Sequence, residues 1–193
     1  MEPTPEMAMT AIKNKIAKTQ HSLKEMGYDP ASTRKQVAEW VRPYGSPALD
    51  VGTGACACMA VELARRELKV TAVDHDSSAV RIAEERASGM LSNKLEIRHA
   101  EANHLPFADG SYRVVTAFDA LCHANEPDAV VKEMFRVSSH VVIITELNAS
   151  GRKITQHLDG GFHEKLHELL ARHCSNCQRY KSNHHITYLC EKN

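Results

Sequence analysis

Apolar residues recur along this chain in two rhythms, and the alternation between them predicts its elements. Residues 5–26 carry Met7, Ile12, Ile16, Leu23 and Met26 at loosely helical spacing among lysines, which predicts one amphipathic helix ended by Gly27. Asp29-Pro30 opens a second helix, with aspartate as N-cap and proline at the first helical position. Val37, Trp40 and Val41 form its apolar face. Pro43, Gly45 and Pro47 interrupt the pattern and lead into a short apolar strand, Ala48–Val51. Helix 55–67, strand 69–73, helix 77–88 and strand 95–98 follow. Asp109-Gly110 is a turn signal before strand 114–118, helix 126–136 and the most apolar strand, Val141–Thr145. After a helix over 161–173, strands 178–181 and 184–191 are separated by a tight turn and read as a hairpin.

Short apolar strands alternating with helices predict an α/β fold, Rossmann-like and doubly wound. Its seven-stranded, mostly parallel sheet ends in an antiparallel C-terminal hairpin. The 193 residues fit a single domain, with residues 1–43 as an N-terminal helical lid and 44–193 as the core. Lysine plus arginine balances aspartate plus glutamate at 24 each, so no electrostatic footprint points to nucleic acid or anionic lipid. The chain lacks an apolar run long enough for a transmembrane helix, and Met1–Glu6 lacks an apolar signal core. A soluble cytoplasmic protein, monomer or homodimer, is the expectation. Six cysteines in a chain this long read as thiols in a reducing compartment rather than a disulfide framework.

The segment richest in chemistry is Ala48-Leu-Asp-Val-Gly-Thr-Gly-Ala-Cys-Ala-Cys58, followed by Lys69-Val-Thr-Ala-Val-Asp74. Gly52 and Gly54 let the backbone turn tightly and approach a ligand, and the following helix presents free N–H groups. Asp74, at the end of the next strand, is placed to accept both hydroxyls of a ribose. Gly52, Gly54 and Ala57 fit a G-x-G-x-x-A dinucleotide loop; Asp50, Gly52 and Gly54 fit a D-x-G-x-G loop for S-adenosylmethionine. Asp50 favours the second, because an acid beside a pyrophosphate is repelled and one beside a sulfonium-bearing amino acid is not.

Over residues 35–192 the chain resembles the class I S-adenosylmethionine-dependent methyltransferases. Leu49-Asp-Val-Gly-Thr-Gly54 is similar to the family's first motif, and Val73–Ala83 to its second strand end and following helix. Glu101-Ala-Asn-His-Leu-Pro-Phe-Ala-Asp-Gly-Ser-Tyr112 resembles a segment common in members acting on small molecules. Phe118–His123 and Met134–Val137 resemble the segments around the fourth and fifth strands. The resemblance implies roles. Asp50 and Gly52 line the methionine part, Thr53 and Gly54 of the same loop also bind the cofactor, and Asp74 holds the ribose. His75 and Asp76 flank the adenine, Glu101 accepts from its amino group, and Ala102 offers a backbone N–H. Phe118 and Asp119 face the sulfonium end and the acceptor. The chain departs from the pattern at Cys56, where relatives carry a third glycine, at Glu101 for aspartate, at Arg113 for an acid, and at Val137-Ser-Ser-His140 for Lys-Pro-Gly-Gly.

The reading that follows is methyl transfer to a small-molecule acceptor by in-line displacement. A cofactor-binding or partner-binding protein without catalysis is the alternative, and an NAD-dependent oxidoreductase is the less favoured one. A hydroxyl or thiol acceptor needs a base. Asp119, His123 and Glu146 are the candidates, each at or just after the carboxyl end of a strand. Tyr28, Arg34 and Trp40 of the lid, and a flexible Asn148–Gly161, are candidates for the walls.

Cys174, Cys177, His184 and Cys190 have structural-zinc spacing, although a small apolar residue in a strand explains Cys190 equally well; no metal is assigned. His163 and His167 share a helix face but lack a third ligand. Cys56 and Cys58, two apart at a helix start, should point apart, and the helix N-terminus makes Cys56 a candidate reactive thiol of lowered pKa.

Overall fold

The computed structural model describes residues 5–88, 93–155 and 162–192. Among them, seven strands form one sheet in the order β3-β2-β1-β4-β5-β7-β6. The strands are β1 (Ala48–Val51), β2 (Val70–Asp74), β3 (Leu95–His99), β4 (Tyr112–Phe118), β5 (Ser138–Leu147), β6 (Cys177–Lys181) and β7 (His185–Glu191). β1 to β5 run parallel; β7 is antiparallel to β5, and β6 to β7. The chain winds outward from β1 to β3, then crosses back to β4 on the other side. The crevice at the carboxyl ends of β1 and β4 is therefore the switch point at which open α/β sheets bind ligands.

The helices are α1 (Pro5–Glu25), α2 (Pro30–Val41), α3 (Cys58–Ala64), α4 (Ser77–Ala87), α5 (Pro127–Val137), α6 (Ala149–Thr155) and α7 (Phe162–Ala171). Strand alternation splits the core into two layers. Leu49, Val115, Val142 and Ile144 pack against α5 and α7 through Val131, Met134, Leu166 and Leu170. Ala48, Val114, Val141 and Ile143 face α2, α3 and α4 through Val37, Val41, Leu63 and Ala83. Asp29 caps α2 as predicted, its Oδ1 accepting from Ala31 N at 3.0 Å, and Asp76 caps α4 in the same way.

Four local expectations are corrected. α3 begins at Cys58 rather than 55, because Gly52, Gly54 and Ala57 all take positive φ and the loop between them is not yet helical. β5 is longer than 141–145, since β4 and β7 pair along both its edges. Residues 149–155 are helical rather than a flexible wall, because the Asn148 side chain accepts from Ser150 N and Gly151 N and nucleates α6. The remainder of that wall, 156–161, lies outside the described residues, as does the side chain of His163. Lastly, Cys177 and Cys190 form a disulfide instead of two free thiols: β6–β7 register sets them opposite each other with Cα atoms 4.1 Å apart. That pairing uses two of the four side chains with zinc spacing, and no group of three potential metal ligands occurs among the described residues.

α1 is amphipathic but does not enter either core layer; Met7 and Met26 remain exposed. It lies over the carboxyl end of the sheet, tied by a Lys13–Glu85 ion pair to α4 and by Gln20 Nε2 to Cys56 Sγ at 3.1 Å. Among the described residues no helix is long and apolar enough to cross a membrane.

Candidate functional site

A cavity of about 560 Å³ opens at the switch point, between the sheet ends and the helices α1 and α2. That volume lies within the range that holds a drug-sized ligand. Asp50, Gly52 and Thr53 line one side, Phe118 and Asp119 the other, and Tyr28 and Arg34 face them from the N-terminal segment.

Asp50 ends β1 almost wholly buried. Its Oδ2 accepts from Thr53 Oγ1 at 2.8 Å and its Oδ1 from Thr116 Oγ1 at 2.9 Å. Burial pushes its pKa up to about 6, against the opposing pull of these two hydroxyls, so it remains mostly ionised at neutral pH. The next turn is drawn against β2: Gly52 N and Thr53 N both donate to Val73 O. Asp74, 8% exposed, stitches the loop further, Oδ2 accepting from Gly54 N at 2.8 Å and Oδ1 from Asp76 N at 3.0 Å.

Two glycines fit a loop made for a ligand. Gly52 has φ 72°, and a Cβ built there would lie 2.5 Å from Ala120 Cβ. At Gly54, with φ 61°, a Cβ would meet nothing within 4 Å. No protein packing demands glycine at Gly54; its left-handed backbone and the open space beside it do.

At the far wall β4 ends in Phe118 and Asp119. Asp119 is held at φ 51°, a conformation rare outside glycine, with its N–H donating to Thr145 O at 2.8 Å. Its Oδ2 is the meeting point of two side chains, Tyr28 Oη and His185 Nε2, each 3.1 Å away. The last two are 3.2 Å apart. Both donors converge on one oxygen, while Asp119 Oδ1 is buried without a hydrogen-bond partner among the described residues. His185 is fully buried against the Phe118 ring, over which Arg34 also sits. Burial, then the Asp119 charge, raises the Tyr28 phenol far above its ordinary value, so it stays protonated and donates.

Behind Asp119 lies Glu146, 1% exposed, whose Oε1 accepts from Leu121 N at 2.7 Å. Burial first, and the Asp119 charge second, push its pKa up to about 8. A carboxyl that binds its proton more tightly when folded contributes stability that is complete below its ordinary pKa. That stability is lost as the pH rises through about 8. Glu146→Gln keeps an acceptor for Leu121 N and removes the charge. Urea unfolding should show the wild type weakening between about pH 5 and about pH 8.5 and the variant weakening less, by on the order of a few kcal/mol. Equal losses in both proteins would refute this account.

The structure thus brings Asp50, Gly52, Thr53, Phe118 and Asp119 together on one cavity. Asp74 stands behind the loop, and exposed His75 and Glu101, with half-buried Ala102, follow the ends of β2 and β3, outside this lining. Glu146 supports the Asp119 turn from behind. His123 is exposed in a short 3-10 turn, Leu121–His123, and does not line the cavity. Of the lid candidates, Tyr28 and Arg34 reach the cavity, whereas Trp40 packs on Tyr180 with ring centroids 4.4 Å apart.

His185 is the functional group that sequence reasoning missed. A readable signal existed: antiparallel pairing puts the start of β7 beside the end of β5, Leu147 opposite His185, at the ligand-binding edge. The expectation for Cys56 and Cys58 is corrected as well. Because α3 starts only at Cys58 and Ala57 is left-handed, both thiols line the cavity and interact instead of pointing apart.

Comparison with known proteins agrees with this geometry. A family model described as "Methyltransferase domain" matches residues 49–141. The chain is 34% identical over 105 residues to the ubiquinone/menaquinone biosynthesis C-methyltransferase UbiE of Brucella canis, covering 51% of this chain and 39% of that protein. It therefore spans about two fifths of the length of the curated relatives it matches. Among solved structures, a SAM-dependent methyltransferase from Aquifex aeolicus superposes with a TM-score of 0.66 at 17% identity, covering 85% of this chain and 98% of that one. The magnesium protoporphyrin IX methyltransferase of Synechocystis, with bound SAH, gives 0.67 at 16% identity, covering 84% and 83%.

Proposed function

We propose that this chain, which belongs to the class I S-adenosylmethionine-dependent methyltransferases, catalyses methyl transfer from S-adenosylmethionine to a small-molecule acceptor that loses a proton on methylation. The observation that carries the reading is the cavity itself. One wall is the Asp50–Gly54 loop, and the other carries a carboxylate held by two donors, Tyr28 and His185. α1 and α2 act as a lid over the core.

The cofactor, when bound, supplies a methyl group on a positively charged sulfur. Asp50 puts a negative charge beside that positive end, screened from water by its burial. Thr53, fixed by its bond to Asp50, and the open side of Gly54 leave room for the amino-acid part. Asp74 spends one lone pair of Oδ2 on Gly54 of the loop and one of Oδ1 on Asp76 N at the start of α4, and keeps the others for ribose hydroxyls. His75, Glu101 and Ala102 border the adenine. Phe118 and Arg34 form the ceiling over the acceptor, which α1 and α2 close off from water. The Asp119 carboxylate takes the departing proton, while Tyr28 and His185 hold it in place through Oδ2.

Calorimetric titration with S-adenosylmethionine, S-adenosylhomocysteine and NAD tests the cofactor. The first two should bind at roughly micromolar Kd, near 8 kcal/mol, and NAD should not. Asp74→Ala should weaken both by at least about tenfold, losing the ribose acceptors and loosening Gly54. Binding of NAD in their place would sink the proposal.

A further inference from the structure

The Asp50–Gly54 loop continues into two thiols that the methyl-transfer reading leaves unused. Cys56 and Cys58 are half-buried, free, and both line the cavity. They are two positions apart, and with Ala57 between them left-handed at φ 45° both side chains face the same cavity. We propose that Cys58 and Cys56 form a thiol–disulfide exchange centre for low-molecular-weight disulfides, and that its oxidised form closes the cavity to the cofactor.

The two sulfurs are chemically unequal in the way such a pair requires. The Cys56 thiol donates to Cys58, which lowers the Cys58 pKa; burial opposes this, and Arg34, Arg86 and Arg65 lower it further. The donating Cys56 is correspondingly raised and stays protonated. Cys58 is therefore the sulfur of the pair that ionises first and attacks. Gln20 of the lid reaches Cys56 Sγ at 3.1 Å, so the pair is also coupled to α1.

The electrons and atoms balance with one external disulfide as oxidant. The Cys58 thiolate attacks one sulfur of that disulfide, forming a mixed disulfide and releasing the first small thiolate. That thiolate takes the Cys56 proton. Cys56 then attacks Cys58 Sγ, closing the protein disulfide and releasing the second small molecule as thiolate, which is protonated from water. Counted from the dithiol, the protein loses two electrons and two protons, the Cys58 proton having gone to solvent on ionisation, and the external disulfide becomes two thiols. Closing the bridge moves both side chains and withdraws Cys56 from Gln20, which changes the wall beside Gly52 and Thr53.

The test treats the whole protein with oxidised glutathione and reads intact mass and peptide maps. The wild type should lose two hydrogens and yield a bridged Cys56–Cys58 peptide, at least about tenfold faster than Cys174 or Cys122 is modified. Cys56→Ser should stop at one glutathionyl group on Cys58, and Cys58→Ser should leave Cys56 unmodified. Absence of the bridge in the wild type, or a rate no faster than at Cys174, overturns the exchange centre whether or not the variants fold. Gating rests on the cofactor reading and has its own readout. S-adenosylhomocysteine should bind the oxidised protein at least about tenfold more weakly, recovering with dithiothreitol. Equal affinity in both states overturns the gate. Failure of the reduced protein to bind S-adenosylhomocysteine overturns the cofactor reading, while the mass readout still decides the exchange chemistry.

Discussion

Gly52→Ala is expected to lower the melting temperature by roughly 5–15 °C and to weaken S-adenosylhomocysteine binding by at least about tenfold. Two separate penalties combine. At φ 72° a Cβ is strained whatever surrounds it, by about 1–2 kcal/mol. The same Cβ would stand 2.5 Å from Ala120 Cβ, and relieving that overlap moves either the loop or the Ala120 turn, adding about 1–3 kcal/mol. Ala120 follows Asp119 in sequence, so the overlap pushes the cofactor loop away from the carboxylate that serves the acceptor. The two penalties separate in a double-mutant cycle. Ala120→Gly should restore the packing share in the Gly52→Ala background and leave the backbone share, giving a coupling of about 1–3 kcal/mol. Additive losses would mean that the close approach does not carry the effect. Thermal unfolding and calorimetry on the four proteins suffice.

The Gly52 contact also shows where a sequence stops being legible. The glycines, the acids at the ends of β1 and β2, and the alternating strands all act through local pattern. They predicted the sheet, its direction and the hairpin. The register of that hairpin is not local: only the pairing of β6 with β7 shows that Cys177 faces Cys190. Helix starts were misjudged where backbone sign mattered. Ala57 carries no side-chain signal for a left-handed conformation, and that one residue turns Cys56 and Cys58 from divergent to convergent. The Asp119 cluster joins three segments, at 28, 119 and 185, that nothing in the spacing connects. Its aspartate was readable as a strand-end acid. Its histidine became visible only when β7 was laid against β5.

For that cluster the expected result is a loss of turnover without a loss of cofactor. Asp119→Asn keeps the size and an acceptor for Tyr28 and His185, but it cannot take a proton from the acceptor. Turnover should fall by about 10²–10⁴-fold while the S-adenosylhomocysteine Kd stays within about threefold. The assay is formation of S-adenosylhomocysteine across a panel of phenols, thiols and carbon acids. Tyr28→Phe removes one of the two bonds to Oδ2 and nothing that touches the acceptor's proton, so its loss should be smaller, about tenfold. The order of effects identifies the mechanism. Tyr28 acts through Asp119, so the Tyr28→Phe, Asp119→Asn double variant should be no slower than Asp119→Asn alone. A purely structural cluster would instead lower melting temperature and cofactor affinity in step with turnover. Losses that multiply would place the Tyr28 hydroxyl on the acceptor itself and make Asp119 its partner rather than the proton's destination.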